Sequence, residues 1–432
     1  MTMMVSRRAL MGGIALAGAG ALLPRAALAW RAEGAALYPA TSAFVKGFVD
    51  RRELAGTLAA IGKGQAAPVF IGAGVQSNDS STPVGPDTLW RLYSMTKPVT
   101  GIAAMLLIED GKMTLDQPIA DFLPAFANMK VQNTPDGSIT DVRPARGPIT
   151  VRQLLTHTAG LGYNIIQKGP IKKAYDDAGI VGGQASRLPI PGFAPVDPAP
   201  SLAAMADRLA ALPLVYEPGT KWSYSISLDL MGRLIEVVSG QAFDAFLKAR
   251  LFDPLGMAST GFMVEPGDVG RFTSNYAPFG GALIPFDPAA SSIYLDPPPY
   301  PFGGGGLVSS ARDYDRFLAM LLGEGQIGGA TDGVRVMKPE TARLAMSNLI
   351  ADSVDRKGSF IDGQGFGAGG RVSLPTSPGG EGIFGWAGAA GTIGFVHRKL
   401  GYRAAGYTQI MPPESVPFQG RFGETFFKDV AS

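Results

Sequence analysis

The chain has 432 residues, of which 46% are hydrophobic and 17% are charged, so it is long and apolar enough to form a globular protein with a large core. It contains 38 Lys and Arg against 36 Asp and Glu, and no basic run extends beyond a pair such as Lys172-Lys173, so we expect no nucleic-acid partner. Cysteine is absent, which excludes disulfides, a thiolate nucleophile and a zinc site built on cysteine.

Residues 1–29 have the pattern of an export signal. Arg7-Arg8 precedes an apolar stretch over residues 9–23, and Ala27-Leu28-Ala29 supplies the small residues that signal peptidase requires. Because the stretch is shorter than the ~20 residues that cross a bilayer, a cleaved signal is favoured over a membrane anchor. Residues 6–10 also resemble a twin-arginine signal. We therefore expect an exported, periplasmic protein with no stable anchor after cleavage.

The segment after the signal predicts a helix, then strands, then a second helix. Residues 42–54 place apolar side chains at helical spacing, and residues 57–75 alternate short apolar runs with Gly and Pro. Residues 89–93 are strand-like and lead directly into Ser94. We expect Ser94 to begin a helix that ends near Asp110-Gly111.

The remaining chain divides into a helical middle and a mixed C-terminal part. From 112 to about 300, helical pieces alternate with long Pro- and Gly-rich loops, notably 179–200 and 278–301. Beyond 303 the pattern predicts helices over 312–322, 339–346 and 414–430, and strands over 382–386, 392–397 and 403–410. The sequence thus predicts an α+β protein: a sheet domain over 30–111 and 301–432, interrupted by a mainly helical insertion over 112–300. A cleft between the two is the expected place for a site.

Histidine chemistry is weakly supported. The chain has only His157 and His397, and no serine lies in a G-x-S-x-G turn, so a Ser–His–Asp triad is disfavoured. Without H-E-x-x-H we also expect no zinc site, and no cofactor is indicated. We expect a structural role for His157, bonded to loop backbone, and an exposed strand or turn position for His397.

Ser94-Met95-Thr96-Lys97 forms an S-x-x-K motif. At the start of a helix, residues three apart share one face, so the hydroxyl and the ammonium group can touch. A desolvated Lys97 could accept the hydroxyl proton, and the helix N-terminus would favour negative charge at Ser94. One such match is expected by chance, so an N-cap serine with a solvated lysine remains the alternative.

Two later motifs give the S-x-x-K its significance. They are Lys221-Trp222-Ser223-Tyr224-Ser225, which leads into a predicted helix, and Phe384-Gly385-Trp386-Ala387-Gly388 in the strand region. With them the sequence resembles class C β-lactamases, D-alanyl-D-alanine peptidases and, most closely, family VIII carboxylesterases. Those proteins share an S-x-x-K, a tyrosine motif and a Gly-containing strand motif in this order. Residues 154–161, 253–257 and 303–311 support the likeness, which extends from about Ala43 to Tyr407.

The resemblance implies a β-lactamase-like fold, with an antiparallel sheet flanked by helices, and a role for each motif. Ser94 attacks a carbonyl and carries the acyl group, while Lys97 and Tyr224 exchange the proton. Which of the two is the main base stays open. The oxyanion hole would consist of the backbone N–H groups of Ser94 and Ala389. Gly303–Gly306 is expected to pack tightly near the cleft, not to bind phosphate.

The sequence departs from the penicillin-handling pattern at two positions. Ile226 replaces the asparagine of Y-x-N, and Trp386 replaces the lysine of K-T-G. Both changes exchange polar recognition for apolar surface, which favours a neutral small-molecule ester over a β-lactam. We predict substrate contacts at Tyr93, Ile226, Trp386 and Gly388, and cleavage of short-chain or aryl carboxylic esters. The alternatives are β-lactamase, D-alanyl-D-alanine peptidase or acyltransferase activity at the same site and, from another class, a non-catalytic binding protein.

Overall fold

The computed structural model describes residues 33–188, 196–329, 331–377 and 380–430, so the predicted signal over 1–29 lies outside it. Within these ranges the strands are β1 (Gly56–Lys63), β2 (Val69–Gly74), β3 (Leu89–Arg91), β4 (Lys130–Gln132), β5 (Val142–Pro144), β6 (Asn275–Phe279), β7 (Ala282–Asp287), β8 (Val308–Ser310), β9 (Gln326–Ile327), β10 (Val334–Arg335), β11 (Gly365–Phe366), β12 (Arg371–Val372), β13 (Ile383–Ala387), β14 (Ile393–His397) and β15 (Tyr402–Tyr407). After a short helix over 33–37, the α-helices are α1 (Pro39–Asp50), α2 (Thr96–Glu109), α3 (Val151–Leu155), α4 (Gly169–Asp177), α5 (Leu202–Ala210), α6 (Ser227–Ser239), α7 (Phe243–Leu247), α8 (Asp253–Leu255), α9 (Ala311–Leu322), α10 (Pro339–Ala345) and α11 (Phe418–Val430).

A seven-stranded sheet connects the two ends of the chain. Its order is β11-β12-β13-β14-β15-β1-β2, and every neighbouring pair is antiparallel. The sequence of β1, Gly-Thr-Leu-Ala-Ala-Ile-Gly-Lys, is buried at its first seven positions. Its small side chains therefore suit a strand that is covered on both faces.

Helices cover both faces of this sheet. On one face α1 and α11 pack together through Phe48, Phe418 and Phe422, in a core that includes Phe395 of β14. On the other face α9 packs on β1, β14 and β15, and α2 contacts β13. The buried side of α2 belongs to the larger core, which continues into the helical region.

The middle of the chain adds helices α3 to α8 to this larger core, but it also contains two hairpins that the sequence analysis missed. They are β4–β5 and β6–β7. Gly280 and Gly281, at the tip of β6–β7, both have positive φ, which a two-residue hairpin turn of type I′ requires. Within the described part of 112–300 no strand joins the seven-stranded sheet. The proposed domain limits themselves stay a prediction.

Several predicted elements differ at their ends. The first helix covers Pro39–Asp50 instead of 42–54, and the last begins at Phe418 instead of 414. The strand predicted over 89–93 ends at Arg91, because Tyr93–Met95 forms a 3-10 turn. The expectation that His397 is exposed was wrong: it lies in β14, is 3% exposed and packs on Phe427 of α11. No helix in the described ranges is both long and apolar enough to span a membrane.

Candidate active site

Ser94 lies in a tight turn between the end of β3 and the start of α2. The preceding residue, Tyr93, has a φ of 46°, a conformation that residues other than glycine rarely adopt. Tyr93 and Met95 are buried, whereas Ser94 is half-buried. The turn therefore leaves the Ser94 side chain accessible within a stretch that is otherwise in the core.

The ammonium group of Lys97 reaches Ser94 from the first turn of α2. Its Nζ donates to Ser94 Oγ at 3.2 Å and to the backbone carbonyl of Gly304 at 2.6 Å. The side chain has no exposed surface, and Nζ lies 4.5 Å from the ring centroid of Tyr224 and 5.5 Å from that of Tyr163. The alternative of a solvated lysine is therefore wrong.

Tyr224 reaches Ser94 from the loop before α6. Its hydroxyl donates to Ser94 Oγ at 2.7 Å, across 130 residues of sequence, and accepts a hydrogen bond from Trp386 Nε1 at 3.3 Å. Ser94 Oγ thus has two hydrogen-bond partners that can move a proton. The indole N–H of Trp386 thus helps to orient Tyr224, and the substrate contact that we expected of Trp386 stays a prediction.

Gly388 follows directly after β13 and packs against Leu92, two residues before Ser94. A Cβ atom on Gly388 would lie 2.2 Å from the Leu92 carbonyl oxygen and 2.2 Å from Thr392 Oγ1, so only glycine fits. Thr392 Oγ1 also donates to the Leu92 carbonyl at 3.1 Å. These contacts hold Ala389, the residue after Gly388, beside the Ser94 turn.

Asp229, a residue the sequence analysis did not select, lies behind Lys97. Its side chain has no exposed surface, Oδ1 accepts the backbone N–H of Gly304 at 2.9 Å, and Oδ2 has no hydrogen-bond partner in the described chain. Burial raises the pKa of Asp229 to about 6, although the nearby Lys97 charge opposes the shift. The available signal was one carboxylate between Leu228 and Leu230 on the buried side of α6.

The glycine run over residues 303–306 passes between Asp229 and Lys97, since Gly304 forms hydrogen bonds with both. A Cβ atom on Gly303 would lie 2.5 Å from the Leu228 carbonyl oxygen, and one on Gly304 would lie 2.3 Å from Asp229 Oδ2. The prediction of tight backbone packing near the cleft is therefore confirmed for this run. Its further use, in which the Gly304 carbonyl accepts a hydrogen bond from Lys97, was not anticipated.

Residues 41–422 match the family described as Beta-lactamase. The chain belongs to this family.

Protein Rv1367c of Mycobacterium tuberculosis is 36% identical over 333 residues, which cover 74% of this chain and 77% of that protein. Esterase EstB of Burkholderia gladioli is 30% identical over 379 residues, which cover 81% and 84%. The solved structure "EstCE1, a hydrolase with promiscuous acyltransferase activity" is 25% identical with a TM-score of 0.73, over 93% of this chain and 100% of that chain.

Membership of the β-lactamase family confirms two predictions made from the sequence. The fold is the expected α+β arrangement, with an antiparallel sheet and flanking helices. The chain is also a serine hydrolase of the penicillin-binding-protein-like superfamily, as the ordered motifs indicated.

A cluster of aromatic rings surrounds Tyr224 in this β-lactamase-family site. Ring centroids within 6.2 Å of Tyr224 belong to His157 at 4.9 Å, Tyr163 at 5.4 Å, Trp386 at 5.7 Å, Phe360 at 5.8 Å and Trp222 at 6.2 Å. Tyr224 itself is only 7% exposed. The position of its hydroxyl is therefore set by packing as well as by the bond to Trp386.

His157 supports the Tyr224 loop and makes no hydrogen bond to Ser94 among the described residues. Nδ1 accepts the backbone N–H of Ser225 at 3.3 Å, and the His157 carbonyl accepts the N–H of Ser223 at 3.0 Å. Burial, assisted by the Lys97 charge, holds the pKa of His157 well below its usual range. A neutral ring bonded to loop backbone is the structural role that we expected.

The predicted substrate contact of Ile226 is contradicted by the structure. Its side chain is 0% exposed and its N–H donates to the Gly162 carbonyl at 3.1 Å, because the residue caps α6 and points into the core. Ile226 therefore offers no accessible surface to a ligand.

Tyr93 is 7% exposed and its hydroxyl accepts a hydrogen bond from Asn275 Nδ2 at 3.0 Å. Its substrate contact stays a prediction. Within the described ranges, no group of three or more His, Asp or Glu residues could hold a metal ion.

Proposed function

We propose that the protein hydrolyses carboxylic esters through an acyl-enzyme on Ser94. The observation that carries the proposal is the pair of hydrogen bonds at Ser94 Oγ, from Tyr224 at 2.7 Å and from Lys97 at 3.2 Å. A serine hydroxyl becomes a useful nucleophile when a group that can accept its proton lies within hydrogen-bond reach. Because hydroxyl protons rotate, the bond between Ser94 and Tyr224 can run in either direction.

The proposed reaction has two halves. In acylation, Ser94 Oγ attacks the ester carbonyl carbon, its proton passes to the Tyr224 and Lys97 pair, and the alcohol leaves with that proton. In deacylation, water attacks the acyl-enzyme and gives a proton to the same pair, which returns it to Ser94 as the carboxylic acid departs. Because Lys97 and Tyr224 contact the same oxygen, they act as one coupled unit and not as separate bases.

Two backbone N–H groups are available to stabilise the oxyanion that forms in each half. Neither the N–H of Ser94 nor that of Ala389 has a hydrogen-bond acceptor in the described part of the chain. The packing of Gly388 on Leu92 keeps the two groups on neighbouring segments. A donor of this kind is typically worth about 3–4 kcal/mol of transition-state stabilisation.

The proposed preference for esters rests on two polar groups that the site lacks and on the activities named for similar proteins. Position 226 is an isoleucine, so it supplies no amide for a β-lactam, and position 386 carries an indole where a cation would bind a carboxylate. The absence of these two polar partners disfavours an anionic β-lactam relative to a neutral ester. One relative is named an esterase, and a structural neighbour is described as a hydrolase with promiscuous acyltransferase activity. We therefore place ester hydrolysis first and acyl transfer to an alcohol second.

The experiment combines active-site labelling with turnover. A fluorophosphonate should modify Ser94, as located by mass mapping, and the adduct should disappear in Ser94→Ala. The unmodified protein should hydrolyse p-nitrophenyl butyrate with a far higher kcat/KM than nitrocefin. Comparable values for the two substrates would contradict the ester preference, and the absence of any adduct on folded protein would support a binding protein instead.

A further inference from the structure

Phe360 is the exposed ring of the aromatic cluster around Tyr224. Its side chain is 61% exposed, whereas Trp222 and Tyr224 are 2% and 7% exposed. The Phe360 ring lies edge-on to both, with centroid distances of 5.8 Å to Tyr224 and 6.4 Å to Trp222. One ring of the cluster therefore faces solvent while its edge contacts the residue bonded to Ser94.

Backbone hydrogen bonds fix the segment that carries Phe360 to the Tyr224 loop. Asp355 exchanges two of them with that loop: its N–H donates to the Thr220 carbonyl at 2.9 Å, and its carbonyl accepts the N–H of Trp222 at 2.9 Å. Closer to the ring, Ser359 Oγ donates to the Arg356 carbonyl at 2.6 Å. The ring is thus presented by an ordered turn, and a ligand that contacts it has little loop entropy to overcome.

The direction of the proposed reaction decides which part of the substrate meets this ring. The proton taken from Ser94 passes to the Tyr224 and Lys97 pair and then to the departing alcohol oxygen, so the alcohol leaves on the Tyr224 side. Phe360 and Trp386 both pack against the ring of Tyr224, with centroid distances of 5.8 Å and 5.7 Å. An apolar alcohol group that departs beside Tyr224 would therefore meet these rings, and an aromatic one gains most from such contacts.

We propose that Phe360 is a specificity-determining residue that selects esters of aromatic alcohols. This inference rests on the proposed ester hydrolysis and adds the identity of the leaving group to it. Single exposed apolar residues are ordinary on protein surfaces, so exposure alone would carry no weight. The weight comes from the edge contact with Tyr224 and from the ordered turn that holds the ring there.

The test compares benzyl butyrate with ethyl butyrate, which share an acyl group and differ in the alcohol without a large change in leaving-group reactivity. Phe360→Ala should lower the ratio of kcat/KM for the benzyl ester to that for the ethyl ester by about 2- to 10-fold, mainly through KM. Phe360→Tyr should preserve the ratio, since the ring remains. Phe279→Ala is the matched control, because Phe279 is 78% exposed and has no ring partner in the described chain.

The outcomes separate this inference from the function on which it rests. An unchanged ratio in Phe360→Ala, with both esters still cleaved, overturns the specificity role and leaves ester hydrolysis standing. An equal loss for both esters also overturns it, because it assigns Phe360 to the support of Tyr224. If the unmodified protein cleaves neither ester, the proposed function itself fails. Thermal melts of each variant show whether a loss of activity reflects unfolding.

Discussion

Asp229 and Lys97 are both fully buried, and a single residue, Gly304, bonds to both of them. The Gly304 N–H donates to Asp229 Oδ1 at 2.9 Å, and its carbonyl accepts from Lys97 Nζ at 2.6 Å. The backbone of Gly304 thus stands between a carboxyl group and the cation that contacts Ser94. The charge of Asp229 therefore bears on both the stability and the electrostatics of the site.

Asp229→Asn should change the pH dependence of stability. Burial raises the pKa of Asp229 to about 6 from the 3.8 of an unperturbed carboxyl, so the folded protein holds this proton more tightly than the unfolded chain. Its contribution to stability is present below pH 4 and is lost as the pH rises through about 6. We expect the free energy of unfolding of Asp229→Asn, measured with urea, to rise between pH 4.5 and pH 7.5 by about 2 kcal/mol relative to that of the unmodified protein.

The comparison between two pH values removes the constant effects of the substitution. The amide side chain of Asp229→Asn keeps an acceptor for the Gly304 N–H but brings an NH₂ group to the place of Oδ2, which has no partner in the described chain. That cost is the same at both pH values and cancels in the difference. A stability difference that does not change with pH would show that Asp229 titrates like an exposed carboxyl group.

Tyr224→Phe should reduce kcat by about 10²- to 10⁴-fold, with a small effect on folding. The variant keeps the ring and its contacts but removes the hydroxyl that bonds to Ser94 at 2.7 Å. Tyr163→Phe is a matched control, since Tyr163 is also buried near Lys97 but its hydroxyl donates to the Gly182 carbonyl at 3.4 Å. The kcat for ester hydrolysis is measured for both variants. Equal losses of kcat in the two variants would assign the effect to packing around Lys97 and not to the hydrogen bond between Tyr224 and Ser94.

What the sequence could predict at this site depended on the distance along the chain. Ser94 and Lys97 are three residues apart, and helical spacing was enough to predict their contact, although Ser94 lies in the 3-10 turn just before α2 and does not begin that helix. Tyr224 and Trp386 lie far from Ser94 in sequence, and only the resemblance to a known family assigned them to the same site. Local pattern carries no information about which distant loops meet.

Burial explains the errors and omissions. Ile226 follows Tyr224 by two residues, yet the start of α6 turns its side chain into the core. Asp229 resembles an ordinary first-turn acidic residue until the Gly304 loop, 75 residues later, covers it. Phe360 lies on a turn whose position is set by its bonds to the Tyr224 loop. The local signal was absent or weak in each case, and the tertiary contacts that bury or expose these side chains come from distant parts of the chain.

Export remains a proposal, and it predicts the N-terminus of the mature protein. Expressed in a bacterial host, the protein should appear in the periplasmic fraction with Trp30 as its first residue, because Ala27-Leu28-Ala29 fits signal peptidase. N-terminal sequencing of the purified fraction measures this. Replacement of both Arg7 and Arg8 by lysine should retain the precursor in the cytoplasm if the twin-arginine route is used. An intact Met1 on cytoplasmic protein, without these replacements, contradicts the export proposal.

Gly388→Ala should impair catalysis more than stability. The new methyl group would meet the Leu92 carbonyl oxygen and Thr392 Oγ1, each 2.2 Å away, and the Leu92 carbonyl belongs to the backbone, so it cannot move without shifting the Ser94 turn. Overpacking of this kind costs about 1–3 kcal/mol of stability. Displacement of the Ala389 N–H should lower kcat for esters by about 10²-fold or more, because a misplaced oxyanion donor acts like a missing one.

Gly420→Ala provides the matched control for this substitution. Gly420 lies within α11, and apart from its chain neighbours and the helix backbone, no atom of the described chain lies within 4 Å of the place where its Cβ would be. Alanine there should stabilise the protein by up to about 1 kcal/mol and leave kcat unchanged, because alanine favours helix more than glycine does. Thermal unfolding and ester turnover of both variants separate the two effects. If Gly388→Ala retained full kcat, the end of β13 would not position a donor for the oxyanion, and the backbone N–H of Ala389 would have to be removed from the proposed mechanism.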